Sequence, residues 1–339
     1  MVKKVLAFIL GCILLSVTLI LIMGIFWSRT EHGQLDYRAA IILKLRGDDQ
    51  ERLTPPTMRR EGIARAGFLQ KRAAKMAKIE DMTISGPAGA LKIRLYHPNQ
   101  EANLPVLIYY HGGGWVMGNL ATHDTICREF ANQAKVIVVA VDYRLAPENP
   151  YPAAFDDSYA ALGWVYGHIK QYKGDPTRIA LGGDSAGGNL AAAVAIKARD
   201  LSGPKISFQV LLYPVTNIAR METDSYLFFA NGYGLTRAHM AFFQEAYLPE
   251  KSDRLTSHAS PLLTNDLTNL PPAMIITAGF DLLRDEGQAY AKQLGQAENQ
   301  VETIHYPGMI HGFATMGRIF PEASDAVIRS ARAMEKTLH

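Results

Sequence analysis

Apolar and polar positions alternate along this chain in three distinct textures. The first is an unbroken apolar run from Val5 to Trp27, preceded by Lys3 and Lys4. About 23 residues at 1.5 Å rise each span roughly 35 Å, the length of a bilayer-crossing helix. A buried helix of that length in a water-soluble protein carries a polar stripe, and this run has none. A cleavable secretory signal has a shorter apolar stretch ending in small residues, whereas here the run continues to Ile25, Phe26 and Trp27. The pattern predicts an uncleaved anchor over residues 1–30. The lysine pair favours a cytoplasmic N-terminus and so a folded domain on the non-cytoplasmic side, although Arg29 and Arg38 pull against that orientation.

The second texture, from about Gln34 to Lys78, is rich in Arg, Lys, Ala and Leu and is interrupted at Thr54-Pro55-Pro56. It reads as two amphipathic helices, a linker over residues 31–80 that also helps cover a site. From Met82 the texture changes again, to short runs rich in Val, Ile and Tyr separated by turns. Met82–Ser85, Leu91–Tyr96, Val106–Tyr110, Val136–Val141, Ile179–Gly182, Phe208–Tyr213, Ala273–Ala278 and Val301–Tyr306 are predicted strands. Helical periods lie between them at Ala153–Lys170 and Ala186–Arg199, and a last amphipathic helix covers Pro321–Leu338. This alternation predicts an α/β fold over residues 81–339, a mostly parallel sheet with helices on both faces. Residues 217–260 break the rhythm and are aromatic, as expected of an inserted helical cap.

Composition narrows the function without choosing it. The chain has 339 residues, 48% hydrophobic and 20% charged, with a formal charge of +3. No basic stripe with interleaved aromatics marks a nucleic-acid groove. Of the two cysteines, Cys12 lies in the apolar run and Cys127 in the folded part, so a disulfide between them is not expected.

Two segments carry chemistry. Gly183-Asp184-Ser185-Ala186-Gly187 has the form G-x-S-x-G, directly after an apolar strand and before an Ala-rich helix. That is the place of a nucleophile elbow, a turn so sharp that flanking Cβ atoms would collide. A Gly-rich helix start is the bland alternative; nucleotide binding is disfavoured, because neither G-x-G-x-x-G nor a P-loop lysine is present. His111-Gly112-Gly113-Gly114-Trp115 follows the strand Val106–Tyr110. Successive glycines let backbone N–H groups converge on one point, as an oxyanion hole requires, and His111 itself reads as a structural partner of that loop. Asp281 follows one predicted strand and His311 another, so both would project at the same sheet edge as Ser185. Asp285 and Glu286 are rival acids, but they sit where a helix begins and its dipole favours carboxylates. His123, His258 and His305 read as surface or satisfied core residues.

These segments, with Asp142-Tyr143-Arg144-Leu145-Ala146-Pro147-Glu148, Asp281 to Gly287 and Tyr306 to Phe313, resemble the hormone-sensitive lipase-like esterases of the α/β-hydrolase fold. The resemblance runs over roughly residues 80–335. It implies Ser185 as nucleophile, His311 as general base and Asp281 as triad acid, with Gly113, Gly114 and Ala186 as oxyanion donors. It also implies hydrolysis of carboxylic esters of short to medium acyl chain, with no metal or organic cofactor. Leu282 departs from the proline usual after the acid, and the N-terminal anchor is shared with arylacetamide deacetylase-like relatives. An amide or acetyl-ester deacetylase is the nearest alternative, and a non-catalytic ligand receptor on the same scaffold a remote one. The expected partners are a small ester and, through the first helix, a membrane.

Overall fold

The described residues, 1–46 and 54–338 of a computed structural model, begin with α1 (Val2–Trp27), an apolar helix exposed along most of its length. By length and composition this helix suffices to cross a bilayer. It leads into a two-residue hairpin, β1 (Arg29–Thr30) and β2 (Gly33–Gln34), then α2 (Tyr37–Arg46) and α3 (Pro55–Leu69). The expected pair of helices between Gln34 and Lys78 is therefore shorter than its composition suggests. Gln34 lies in the hairpin, and Gln70 turns extended (φ −73°, ψ 142°) to end α3. The predicted break at Thr54-Pro55-Pro56 is the start of α3, with Thr54 at its N-cap and the prolines in its first turn, where a missing N–H costs nothing; residues 47–53 lie outside the described residues.

The apolar runs that follow form one eight-stranded sheet. Its members are β3 (Lys78–Gly86), β4 (Gly89–His97), β5 (Leu104–Tyr110), β6 (Ile137–Asp142), β7 (Gly174–Asp184), β8 (Phe208–Leu212), β9 (Ala273–Phe280) and β10 (Val301–Ile310). Their spatial order is β10-β9-β8-β7-β5-β6-β4-β3. The six strands from β10 to β6 are parallel, while β3 and β4 form an antiparallel hairpin against β6. Strands β5, β8 and β9 are buried along their whole length, which is why they read as continuous apolar runs rather than alternating ones.

The connecting helices are α4 (Asp124–Ala134), α5 (Ala153–His168), α6 (Ala186–Asp200), α9 (Arg284–Gln296) and α10 (Pro321–Leu338). Helices α4 and α10 pack together on one face, and α5 packs on α6 on the other. Short side chains at Ala191, Ala192, Ala193 and Ala195 let α6 lie close to the sheet, and all four are buried. Between β8 and β9 the chain leaves this rhythm for α7 (Asp224–Phe228), α8 (Arg237–Tyr247) and single turns at Asp253–Leu255 and Pro261–Leu263. The Asn189 amide of α6 donates to Val215 O (3.0 Å) and Ala259 O (2.9 Å), joining both stems of this insertion.

One topological feature locates the site. From β5 the chain passes through α4 to β6 on one side, then through α5 to β7 on the opposite side of β5. The loops after β5 and β7 therefore diverge and open a crevice at the carboxyl edge of the sheet.

Candidate active site

Ser185 stands between β7 and α6 with φ 56° and ψ −119°, a backbone conformation that costs a non-glycine residue of order 1–3 kcal/mol. The turn persists because its surroundings leave no other course. A Cβ on Gly187 would lie 1.9 Å from Tyr110 O, and one on Gly183 would lie 2.4 Å from the Gly187 backbone. The serine N–H donates to Leu212 O at 2.8 Å, which pins the elbow to β8.

Three elements deliver three side chains to one point. His311, just beyond β10, has Nε2 2.9 Å from Ser185 Oγ and Nδ1 2.7 Å from Asp281 Oδ2. Asp281, just beyond β9, has a fully buried side chain, and its Oδ1 accepts the Leu283 N–H at 2.9 Å. The Tyr213 ring meets the His311 imidazole edge-to-face at 4.9 Å and limits its rotation. A hydroxyl, an imidazole and a carboxylate in this order can move a proton off the hydroxyl while the carboxylate holds the ring in one tautomer.

The sequence rivals for the acid lie elsewhere. Asp285 accepts Ser225 N–H at 2.7 Å at the start of α7. Glu286 Oε1 accepts the N–H groups of Thr216 (2.7 Å) and Asn217 (3.1 Å). Burial raises the Glu286 carboxyl to about 8 against the pull of those two donors.

The glycine loop turns with φ 120° at Gly113 and 59° at Gly114, and residues with a Cβ are strained there. Phe243 of α8 lies flat on it, so that a Cβ at Gly114 would come within 2.3 Å of the ring. Among the described residues no protein acceptor takes the N–H of Gly113, Gly114 or Ala186. The last of these is free by geometry, since it opens a helix.

Beneath that loop lies a polar cluster that the sequence did not announce. Asp184 Oδ1 accepts the Tyr109 hydroxyl (2.9 Å) and the Gly112 N–H (3.0 Å), and stands 3.2 Å from His123 Nε2. Burial pushes the Asp184 carboxyl up, but the charge and hydrogen bond of His123 with the bond from Tyr109 outweigh it and leave it below the usual value. His123 Nδ1 meets Thr122 Oγ1 at 2.9 Å, so the imidazole has partners on both nitrogens. The available signal was a carboxylate among small apolar residues at the end of a buried strand, which demands a partner. His111 is buried and stacks on Tyr143 (4.2 Å); burial, then the neighbouring His123, push it down to about 3, so it stays neutral. His258 stacks on Phe155 (4.6 Å), and His305 meets Thr277 Oγ1 (2.9 Å). No group of three or more potential metal ligands occurs among the described residues.

Known proteins resemble this chain in sequence and in fold. The profile of a family described as alpha/beta hydrolase fold matches residues 107–315. Carboxylesterase NlhH of Mycobacterium tuberculosis is 44% identical over 268 residues, 77% of this chain and 83% of its own. Ethyl acetate hydrolase of Pseudomonas putida is 37% identical over 267 residues, again 77% and 83%. An ester hydrolase from the Lake Arreo metagenome, solved with a bipyridine phosphonate derivative, matches with TM-score 0.86 and 39% identity, over 89% of this chain and 99% of that one. The hyperthermophilic esterase of Pyrobaculum calidifontis matches with TM-score 0.82 and 39% identity, over 87% and 96%.

Proposed function

The chain belongs to the α/β-hydrolase fold family, among its hormone-sensitive lipase-like esterases, and from that premise we propose how its residues carry out serine-type ester hydrolysis. It is a carboxylic ester hydrolase. Ser185 Oγ attacks the ester carbonyl carbon as His311 Nε2 takes its proton. Asp281 keeps Nδ1 protonated and stabilises the imidazolium. The carbonyl oxygen becomes an oxyanion received by the N–H groups of Gly113, Gly114 and Ala186, each such donor contributing roughly 3–4 kcal/mol at the transition state. The alcohol leaves with the proton from His311. Water, deprotonated by the same ring, then releases the acid and restores Ser185.

The observation that carries this reading is the continuous hydrogen-bonded line Ser185–His311–Asp281, at 2.9 and 2.7 Å. The acyl group is of short to medium length, a reading supported by Phe243 pressed on Gly114. Residues 1–30 serve as a membrane anchor with the catalytic domain on the non-cytoplasmic side, 31–80 as a linker that helps cover the site, and 81–339 as the catalytic domain with a cap at 217–260. Arg59 of α3 supports the covering role, since it donates to Val116 O (2.8 Å) and Ala146 O (2.9 Å) beside the glycine loop.

Turnover of p-nitrophenyl esters of graded chain length beside an arylacetamide, with Ser185→Ala as control, tests the reading. Ester cleavage that is abolished in the variant and peaks at short to medium chains is expected. Faster arylacetamide cleavage would instead favour the deacetylase.

A further inference from the structure

The strap between α1 and the catalytic domain has no slack. Ser28 is buried; its carbonyl accepts the Leu35 N–H (2.8 Å) and its hydroxyl accepts the Gln34 amide (2.6 Å). Gly24 in the last turn of α1 faces Ile41 of α2. Asp36 N–H donates to Gly308 O at 2.9 Å, three residues before His311, and Arg38 bridges Asp36 (2.7 Å) and Glu322 of α10 (3.0 Å). The orientation of α1 is thereby tied to the loop that carries the imidazole.

The same strap touches the cap. His32, at the tip of the hairpin, stacks on Phe228 at 4.7 Å and meets Phe229 edge-on at 5.5 Å. Phe229 is buried against Phe280 (5.5 Å), the residue before Asp281, whereas Leu227 and Phe228 are 59% and 46% exposed. On the other flank, Arg38 donates to Ile319 O (3.4 Å), and the adjacent Arg318 lies over the ring of Phe68 (5.9 Å), which is 65% exposed. Single exposed apolar side chains are ordinary. Here three large ones bracket the segment that leaves the bilayer, and His32 lies no more than about 17 Å of chain beyond Trp27, less once the hairpin folds back.

We infer that Leu227, Phe228 and Phe68 form an apolar lip that dips into the lipid headgroup layer, so that ester dissolved in the bilayer passes to Ser185 along the cap. The inference rests on the reading of α1 as an anchor. An apolar edge of this kind inserts about 5–10 Å, to the boundary between headgroups and acyl chains. Phe228 then contributes membrane contact and takes no part in the chemistry.

Labelling decides it. The full chain, with Cys12→Ser and either Phe228→Cys or Tyr166→Cys, is labelled with an environment-sensitive dye and placed in phosphatidylcholine vesicles with brominated acyl chains. Tyr166 is exposed on α5 toward the amino edge of the sheet, away from the strap. The label at 228 is expected to shift to the blue and lose about half its emission or more, as for an inserted side chain, while the label at 166 keeps its emission. A chain that floats with the vesicles but leaves 228 as unquenched as 166 overturns the lip alone. Failure to float overturns the anchor and the lip together. As a second readout, Phe228→Ser should keep its turnover of water-soluble p-nitrophenyl acetate and lose several-fold on a long-chain ester dissolved in the bilayer; equal retention on both substrates contradicts the lip.

Discussion

Asp184 and His123 are joined across 61 residues of chain by a buried carboxylate–imidazole contact of 3.2 Å, and the same carboxylate holds the Gly112 N–H. The residue before the nucleophile thus fixes the loop proposed to stabilise the oxyanion. Asp184→Leu should remove the carboxylate that Gly112 and the Nε2 side of His123 share and lower stability by about 3–5 kcal/mol. Among molecules that still fold, kcat should fall further than KM rises, because the loop acts on the transition state. Denaturant unfolding and steady-state kinetics check both; a variant with unchanged kcat would detach Asp184 from the loop.

The same contact sets an acid limit. The Asp184 carboxyl is held below its ordinary value in the folded chain, so its stabilisation is present above about pH 4 and is lost as the pH falls below that. Unfolding midpoints from pH 5 down to 3 should drop more steeply for the parent than for His123→Gln, which lacks the charge that lowers Asp184. Parallel curves would contradict the coupling.

Glu286 has the opposite sign. Its folded value, raised by burial to about 8, lies above the ordinary glutamate value, so its contribution is full in acid and is lost as the pH rises through about 8. Between pH 5 and 8 the parent should lose up to ~1.4 kcal/mol of stability per pH unit from this group. Glu286→Gln, which keeps an acceptor for Thr216 and Asn217, should flatten that slope. Equal slopes in the two proteins would show that Glu286 is ionised in the folded state.

The strands were legible because a parallel sheet covered on both faces needs unbroken apolar runs, and those runs stand out against polar turns. Ser185, Asp281 and His311 were legible for a related reason: each directly follows such a run, and strand ends of a parallel sheet share one edge. The partners of Asp184 were not, because His123 reaches it only once β5 is threaded between β6 and β7. The strap was equally hidden. Nothing in Thr30-Glu31-His32-Gly33 marks a hairpin that seats on Phe228, since a two-residue ladder leaves no period to detect.

Phe243 and Gly114 define a specificity prediction. Phe243→Ala should open space beside the glycine loop and raise the kcat/KM ratio of p-nitrophenyl octanoate to p-nitrophenyl acetate, by about tenfold for some 1.4 kcal/mol of relieved crowding. Gly114→Ala should instead lower kcat on every ester by roughly 100-fold or more, since its Cβ would displace the ring or the loop. An unchanged chain-length profile in Phe243→Ala would place the acyl group elsewhere.

Covalent trapping tests the central claim most directly. The Ser185 oxygen should attack the phosphorus of a p-nitrophenyl phosphonate, expel p-nitrophenolate into solution and keep one phosphonyl group per chain, on the peptide carrying Ser185. Ser185→Ala should take up none, and His311→Ala should react slower by roughly 10,000-fold. A phosphonyl group on any other residue, or undiminished ester turnover by Ser185→Ala, would contradict the account.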